Sequence, residues 1–114
     1  MQAVKYELYA APALQAMIRR EPEVMEYIQA FANDQADPLL EIAGPPLPDE
    51  LARARKFDQV VPLPCIRLNM RKLKHHLTGR PMIEIACSEQ DLIEVERWNM
   101  VARASTSRSL TAVN

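Results

Sequence analysis

The chain has 114 residues, 48% hydrophobic and 25% charged, so it can bury one core and is neither disordered nor collagen-like. Its net charge of -1 combines an acidic half, residues 1–55, with a basic half, residues 56–114, which predicts two regions with different roles. No apolar run reaches the ~18–20 residues of a membrane span, and the first residues lack the basic start and apolar stretch typical of a secretion signal. We therefore expect a cytoplasmic protein with no membrane partner, in which the two cysteines stay reduced.

The N-terminal segment, residues 1–43, is predicted to be helical, because apolar residues recur there at helical spacing in two stretches. The first stretch predicts a helix over about 11–20. The second predicts a helix over about 22–32, where Pro22 suits the first turn. Because this segment holds no His, Cys, Ser or Thr, most nucleophilic and metal chemistry is excluded from it. Its expected role is packing or partner binding.

Five of the nine prolines lie between Pro45 and Pro64, so this stretch cannot be the interior of a long helix. We predict a proline-rich linker over 44–56. Within it, Asp49 can cap a short helix over 50–55.

The basic region, residues 57–114, alternates strand and helix signals. We predict strands over 59–63, 82–87, 100–104 and 109–113, a turn over 105–108, and helices over 65–78 and 88–98. Gly79 suits the C-cap of the first helix, and Ser88 with Asp91 approximates a capping box for the second. The β-α-β-α-β-β order predicts an α+β fold. This would be a two-layer sandwich with helices on one face of a sheet, preceded by the small N-terminal helical segment.

Cys65 is the first candidate for chemistry, because it follows Pro64 and begins the predicted helix 65–78. Unpaired N–H groups and the positive end of a helix macrodipole favour a thiolate, which is the nucleophilic form of cysteine. Arg67 would add positive potential beside it. The alternative is a buried structural cysteine, since free cysteine is among the most buried residue types. Cys87, at the end of a predicted strand, could be a second thiol partner, but we expect it to pack as a small apolar residue.

Basic and histidine side chains crowd the same predicted helix and the residues after it: Arg67, Arg71, Lys72, Lys74, His75, His76 and Arg80. Such a surface could meet phosphate, an acidic partner or the acidic N-terminal segment, or it could simply be a solvated helix face. The adjacent histidines would point about 100° apart on a helix, which argues against a shared metal ion. With only two glycines, a phosphate-cradling loop is excluded.

Three stretches of the basic region carry a family resemblance: VVPLPCIRLNMRKLKHHL, GRPMIEIA, and SEQDLIEVERW ending at Trp98. With them, residues about 57–113 resemble the TusA/SirA-like family of small sulfur-carrier proteins. The family's Cys-Pro-x-Pro motif is not intact, because Ile66 and Leu68 stand where the prolines would be if Cys65 is the family cysteine. An ungapped alignment from Gly79 instead places the family cysteine at Pro62, which would make the domain a degenerate relative.

The resemblance implies that Cys65 accepts sulfane sulfur as a persulfide and passes it to a partner protein, with electrostatic help from Arg67. It implies no metal and no organic cofactor. Two alternatives stay open. One is a non-enzymatic, degenerate interaction module of the same fold, and the other is a nucleic-acid-binding protein that uses the basic helix 65–78. An apolar face left over on the N-terminal helices would also favour a homodimer.

Overall fold

The computed structural model describes residues 5–32, 39–47 and 56–112, with side chains for those residues between 5 and 104 except 56 and 57. The strands are β1 (Lys5–Tyr9), β2 (Leu39–Gly44), β3 (Lys56–Val61), β4 (Ile66–Lys74) and β5 (Pro81–Ala86). The helices are α1 (Pro12–Arg20), α2 (Pro22–Ala32) and α3 (Glu89–Ala112). The predicted α+β class, with a sheet packed against helices, is confirmed.

The five strands form one mixed sheet in the order β2-β1-β5-β4-β3. β1 runs parallel to both of its neighbours, and it pairs with β5 through Leu8 and Ile83. β3, β4 and β5 follow one another as antiparallel neighbours. The sheet therefore takes strands from both sides of the predicted linker 44–56. The short helix predicted over 50–55 lies outside the described residues.

The hydrophobic core lies between the helices and one face of the sheet. Alternate residues of each strand point into it, as the period of two in a strand requires. The buried strand residues are Tyr6, Leu8, Val61, Ile66, Leu68, Met70, Ile83 and Ile85, and the buried helix residues include Leu14, Met17, Ile18, Val24, Ile28 and Val95. The opposite face of the sheet, which we call the open face, carries Glu7, Arg71 and Glu84.

The two helices predicted in the N-terminal segment are confirmed as α1 and α2, which meet at Glu21. Glu21 is extended because it precedes Pro22, and this ends α1. The sequence did not predict β1 and β2, which flank these helices. β1 has only five residues, of which just two, Tyr6 and Leu8, are buried, so its alternation is too short to stand out.

The helix predicted over 65–78 is wrong, because β4 occupies most of that stretch. Ile66, Leu68 and Met70 alternate into the core, whereas Leu77, which the helical spacing would also bury, is 80% exposed. Gly79 accordingly lies in the turn between β4 and β5, where its φ of 71° suits glycine, and it caps no helix.

The helix predicted over 88–98 is confirmed, but it continues as α3 to Ala112. The strand predicted over 100–104, the turn over 105–108 and the strand over residues 109–112 are therefore wrong. Val113 lies outside the described residues. The side-chain amide of Asn99 donates to the Ala13 carbonyl of α1 at 2.9 Å, which fixes the helix against α1 just beyond its predicted end. The element order is β-α-α-β-β-β-β-α, which differs from the predicted order.

Truncating two leucines tests whether residues 66–74 form a strand. Leu68 is 0% exposed, so Leu68→Ala is expected to lower the free energy of unfolding by about 2–5 kcal/mol. Leu77→Ala alters a largely exposed side chain and should change the free energy of unfolding by less than about 0.5 kcal/mol. Urea denaturation of both variants measures the difference. A helix over 65–78 would reverse the order, because only Leu77 lies on the apolar face of that helix.

Candidate functional site

Cys65 is the last residue of the four-residue turn that joins β3 to β4. Val61 and Ile66, the residues on either side of this turn, form the last pair of the ladder. The side chain of Cys65 is exposed. It precedes a strand and does not begin a helix, so the helix N-terminal N–H groups and macrodipole expected to activate it are not there. The predicted activation by a helix terminus is therefore wrong.

The backbone of Cys65 is held in the left-handed region, with a φ of 71°. An L-residue with a side chain pays about 1 kcal/mol for this conformation, which glycine adopts without strain. Strained residues of this kind often belong to functional sites, so the turn gives a reason to consider the thiol that does not depend on a helix.

Arg67, the second predicted site residue, lies on β4 and lines a cavity of about 540 Å³ at the open face. The other lining residues come from β3, β4, the end of β5 and the start of α3: Asp58, Asn69, Ala86, Cys87, Ser88 and Asp91. Cys65 is not among them, so the cavity does not unite the two predicted site residues.

Asp91 closes one side of this cavity and ties α3 to the sheet. Its carboxylate accepts a hydrogen bond from the Arg67 backbone N–H at 3.3 Å. Arg67 lies where β4 extends past the end of its pairing with β5. The backbone N–H of Asp91 donates to the Ser88 hydroxyl at 3.1 Å, which confirms Ser88 as the predicted cap. The sequence shows the cap but not the cavity, because the lining residues come from four separate elements.

Cys87 is half-buried in the wall of the same cavity and packs against the hydrophobic core, as predicted. Burial, assisted by the Asp91 carboxylate, raises the pKa of the Cys87 thiol to about 11, so it stays protonated at neutral pH. Both cysteines are free thiols, Cys65 exposed and Cys87 half-buried.

The basic surface expected on a helix over 65–78 does not form, because β4 divides its residues between two faces of the sheet. On the open face, Arg71 lies 3.7 Å from the Glu84 carboxylate, and Arg80 of the following turn lies 3.4 Å from Glu7. On the core side, the Lys72 ammonium approaches two aromatic rings, at 5.3 and 5.8 Å from their centroids. Carboxylates thus lie beside two of the basic side chains on which the nucleic-acid alternative was based, Arg71 and Arg80.

The side of α3 that points away from the sheet is a surface that the sequence analysis missed. Ile93, Met100 and Val101 are 51%, 63% and 60% exposed there, while Val95 on the opposite side of the helix is fully buried. A helix that covers a core normally has a polar outer side. The signal was present in the sequence, since apolar residues of the LIEVERWNMVA stretch occupy both sides of a helical wheel.

Contacts with α1 fix the orientation of this helix. The Arg20 guanidinium lies over the Trp98 ring at 4.7 Å from its centroid, a favourable cation–π distance. Beside this contact, a groove of about 470 Å³ runs between the two helices, with Ala13 and Ala16 on one wall and Met100 on the other. The exposed side of α3 is therefore held outward next to a groove whose α1 wall includes the small side chains of Ala13 and Ala16, and whose rim carries charged side chains such as Arg20, Glu96 and Arg103.

Comparison with protein-family models, with curated proteins and with solved structures finds no match for this chain. Among the described residues, no helix combines the length and apolar character needed to cross a membrane.

The two thiols should react with alkylating reagents at different rates. At mildly alkaline pH, iodoacetamide is expected to modify Cys65, which is exposed, faster than Cys87, because the raised pKa of the Cys87 thiol keeps it protonated and only the thiolate is nucleophilic. Modification of Cys87 should rise only as the pH approaches 11. Mass spectrometry of tryptic peptides measures both rates. Equal modification of the two residues in the folded protein would contradict this assignment.

Proposed function

We propose that this protein is a non-enzymatic interaction module that binds a partner protein through α3. The contact surface is the outer face of α3, which consists of Ile93, Arg97, Met100, Val101 and Ala104. The observation that carries the proposal is the exposure of three large apolar side chains on a helix whose other side already fills the core.

The composition of this face suits docking against another helix. Ile93 is followed by Met100 and Val101 at positions i+7 and i+8, which is the spacing of anchors when two helices pack along one side. Methionine adapts its shape to an uneven partner surface, and burying a side chain of this kind contributes about 1.5–3 kcal/mol. The adjacent groove, with Ala13 and Ala16, leaves room for side chains of the partner.

The rest of the structure favours an interaction module over an enzyme. Cys65 lies neither at a helix N-terminus nor on a basic helix, so neither feature activates its thiol. The raised pKa of Cys87 keeps that thiol protonated. A reducing, cytoplasmic setting belongs to the proposal, because two cysteines do not make the disulfide framework of a small secreted domain.

Site-specific crosslinking tests the outer face directly. Replacing Met100 with the photo-crosslinking residue benzoylphenylalanine should give a defined covalent protein adduct in cells, which mass spectrometry identifies, because this side chain lies in the contact. The matched control carries the same residue at Leu77, which is also exposed but lies in the turn between β4 and β5. Adding Val101→Glu should abolish the adduct at position 100. Absence of an adduct there, or the same adducts from position 77, would refute the proposal.

A second candidate function is sulfur transfer by Cys65, favoured by the exposure of its thiol on a strained turn between two paired strands. The Cys65 thiolate would attack the terminal sulfur of a donor persulfide. A new S–S bond forms on Cys65, the S–S bond of the donor breaks, and the donor leaves as a thiolate. A nucleophile of the acceptor protein then takes the terminal sulfur and releases the Cys65 thiolate, with no net oxidation or reduction. This is the chemistry that the TusA/SirA-like resemblance implies, although here the cysteine precedes a strand and the element order differs from the predicted one.

Sulfur uptake separates this candidate from the first. After incubation with glutathione persulfide, the wild-type protein and Cys87→Ala are expected to gain the mass of one sulfur atom, because Cys65 is the accessible thiol. Cys65→Ser should gain none and should keep the crosslink at position 100. Intact-protein mass spectrometry reads the result. Equal uptake by Cys65→Ser, or no uptake by the wild type, would exclude sulfur transfer by Cys65.

A further inference from the structure

We infer that the partner of the outer face of α3 is a second copy of this chain, with the two α3 helices packed antiparallel. The inference rests on the proposed function and adds the identity of the partner. What points to a second copy is the distribution of charge along the helix.

The charges of α3 change sign along its length. Residues 89–96 carry four carboxylates and no cation, whereas residues 97–104 carry two arginines and no carboxylate. Glu89, Glu94 and Glu96 are exposed, as are Arg97 and Arg103. Antiparallel packing of two copies sets the acidic half of each helix beside the basic half of the other. Parallel packing would set like charges together, which disfavours association.

The apolar anchors agree with this arrangement. When two copies cross midway between Ile93 and Val101, Ile93 of each copy lies beside Val101 of the other, and the crossing point falls at Arg97. The Glu94 carboxylate lies 3.2 Å from the Arg97 guanidinium within one helix. At the crossing, the pairs of the two copies meet and form a network of two carboxylates and two guanidinium groups, so Arg97 is not left facing a like charge alone.

The contact is narrow, because it is centred on one helix from each copy. Interfaces below about 1,200 Å² of total buried area are generally weak, so we expect a dimer with a dissociation constant in the micromolar range. The antiparallel arrangement is also closed, since each copy uses the same surface and leaves none exposed for further copies.

Charge exchange on α3 tests the identity of the partner. Arg97→Glu places four carboxylates at the crossing point and is expected to raise the dimer dissociation constant by about tenfold or more. The double variant Glu94→Arg/Arg97→Glu exchanges the charges in both copies at once and should restore the dimer. Sedimentation equilibrium at several concentrations measures the constants, with Leu77→Glu as a matched surface control that should leave the dimer unchanged. Glu94 and Arg97 are both exposed, so we expect their variants to keep the fold, which circular dichroism checks.

The outcomes separate this inference from the proposed function. Rescue by the double variant supports a second copy, because an unrelated partner would keep its original charges. A wild-type chain that stays monomeric at all concentrations overturns the inference. If position 100 still crosslinks to a different protein, the interaction module stands without the dimer. If position 100 yields no adduct either, both fail. A dimer that Arg97→Glu leaves intact would place the contact elsewhere and overturn the antiparallel arrangement.

Discussion

The parallel pairing of β1 with β5 is the constraint on which the other features of the fold depend. Leu8 and Ile83 face each other in this ladder and are both fully buried, at the centre of the five strands. This pairing joins residues near the start of the chain to residues beyond its middle, so the acidic and basic halves share one core. It also fixes which alternate residues of β4 and β5 face the helices and which face the open side.

The placement of α3 follows from that central pairing. The chain leaves β5 at Ala86, Ser88 caps the helix, and Asp91 holds its first turn to the backbone of β4. Asn99 then attaches its middle to α1. Because the inner side of α3 packs against the core in this way, Met100 and Val101 stay exposed in the part of the chain that the structure describes. An exposed apolar surface on a helix held by both layers is the physical basis of the proposed interaction.

The sequence predicted the elements whose signals are local and long. α1, α2 and the start of α3 were predicted from helical spacing and from Ser88, and β5 from its apolar run. β4 was not, because Ile66, Met70, Leu73 and Leu77 fit a helix while Ile66, Leu68 and Met70 fit a strand. Pairing with β3 and β5 decides between these periods, and no local pattern contains that information.

The candidate sites show the same limit. Cys65 was selected for a helix terminus that the sheet replaces with a turn, yet its exposure and its φ of 71° give it a different reason for attention. The outer face of α3 could have been predicted, since its apolar residues are visible in the sequence once the helix is extended past Trp98. The strands assigned to residues 100–104 and 109–113 concealed it, because residues in a strand would not share a face at that spacing.

The central claim is that the outer face of α3 is the surface through which two copies of this protein associate. Methyl NMR spectra recorded across a dilution series test it most directly, because each methyl group reports on its own surroundings. The account predicts that the methyl signals of Ile93, Met100 and Val101 shift together on dilution, while those of buried Met70 and of exposed Leu77 stay in place. Signals of α3 that do not move, or shifts confined to exposed Leu39 and Leu63 at the sheet margins, would contradict it.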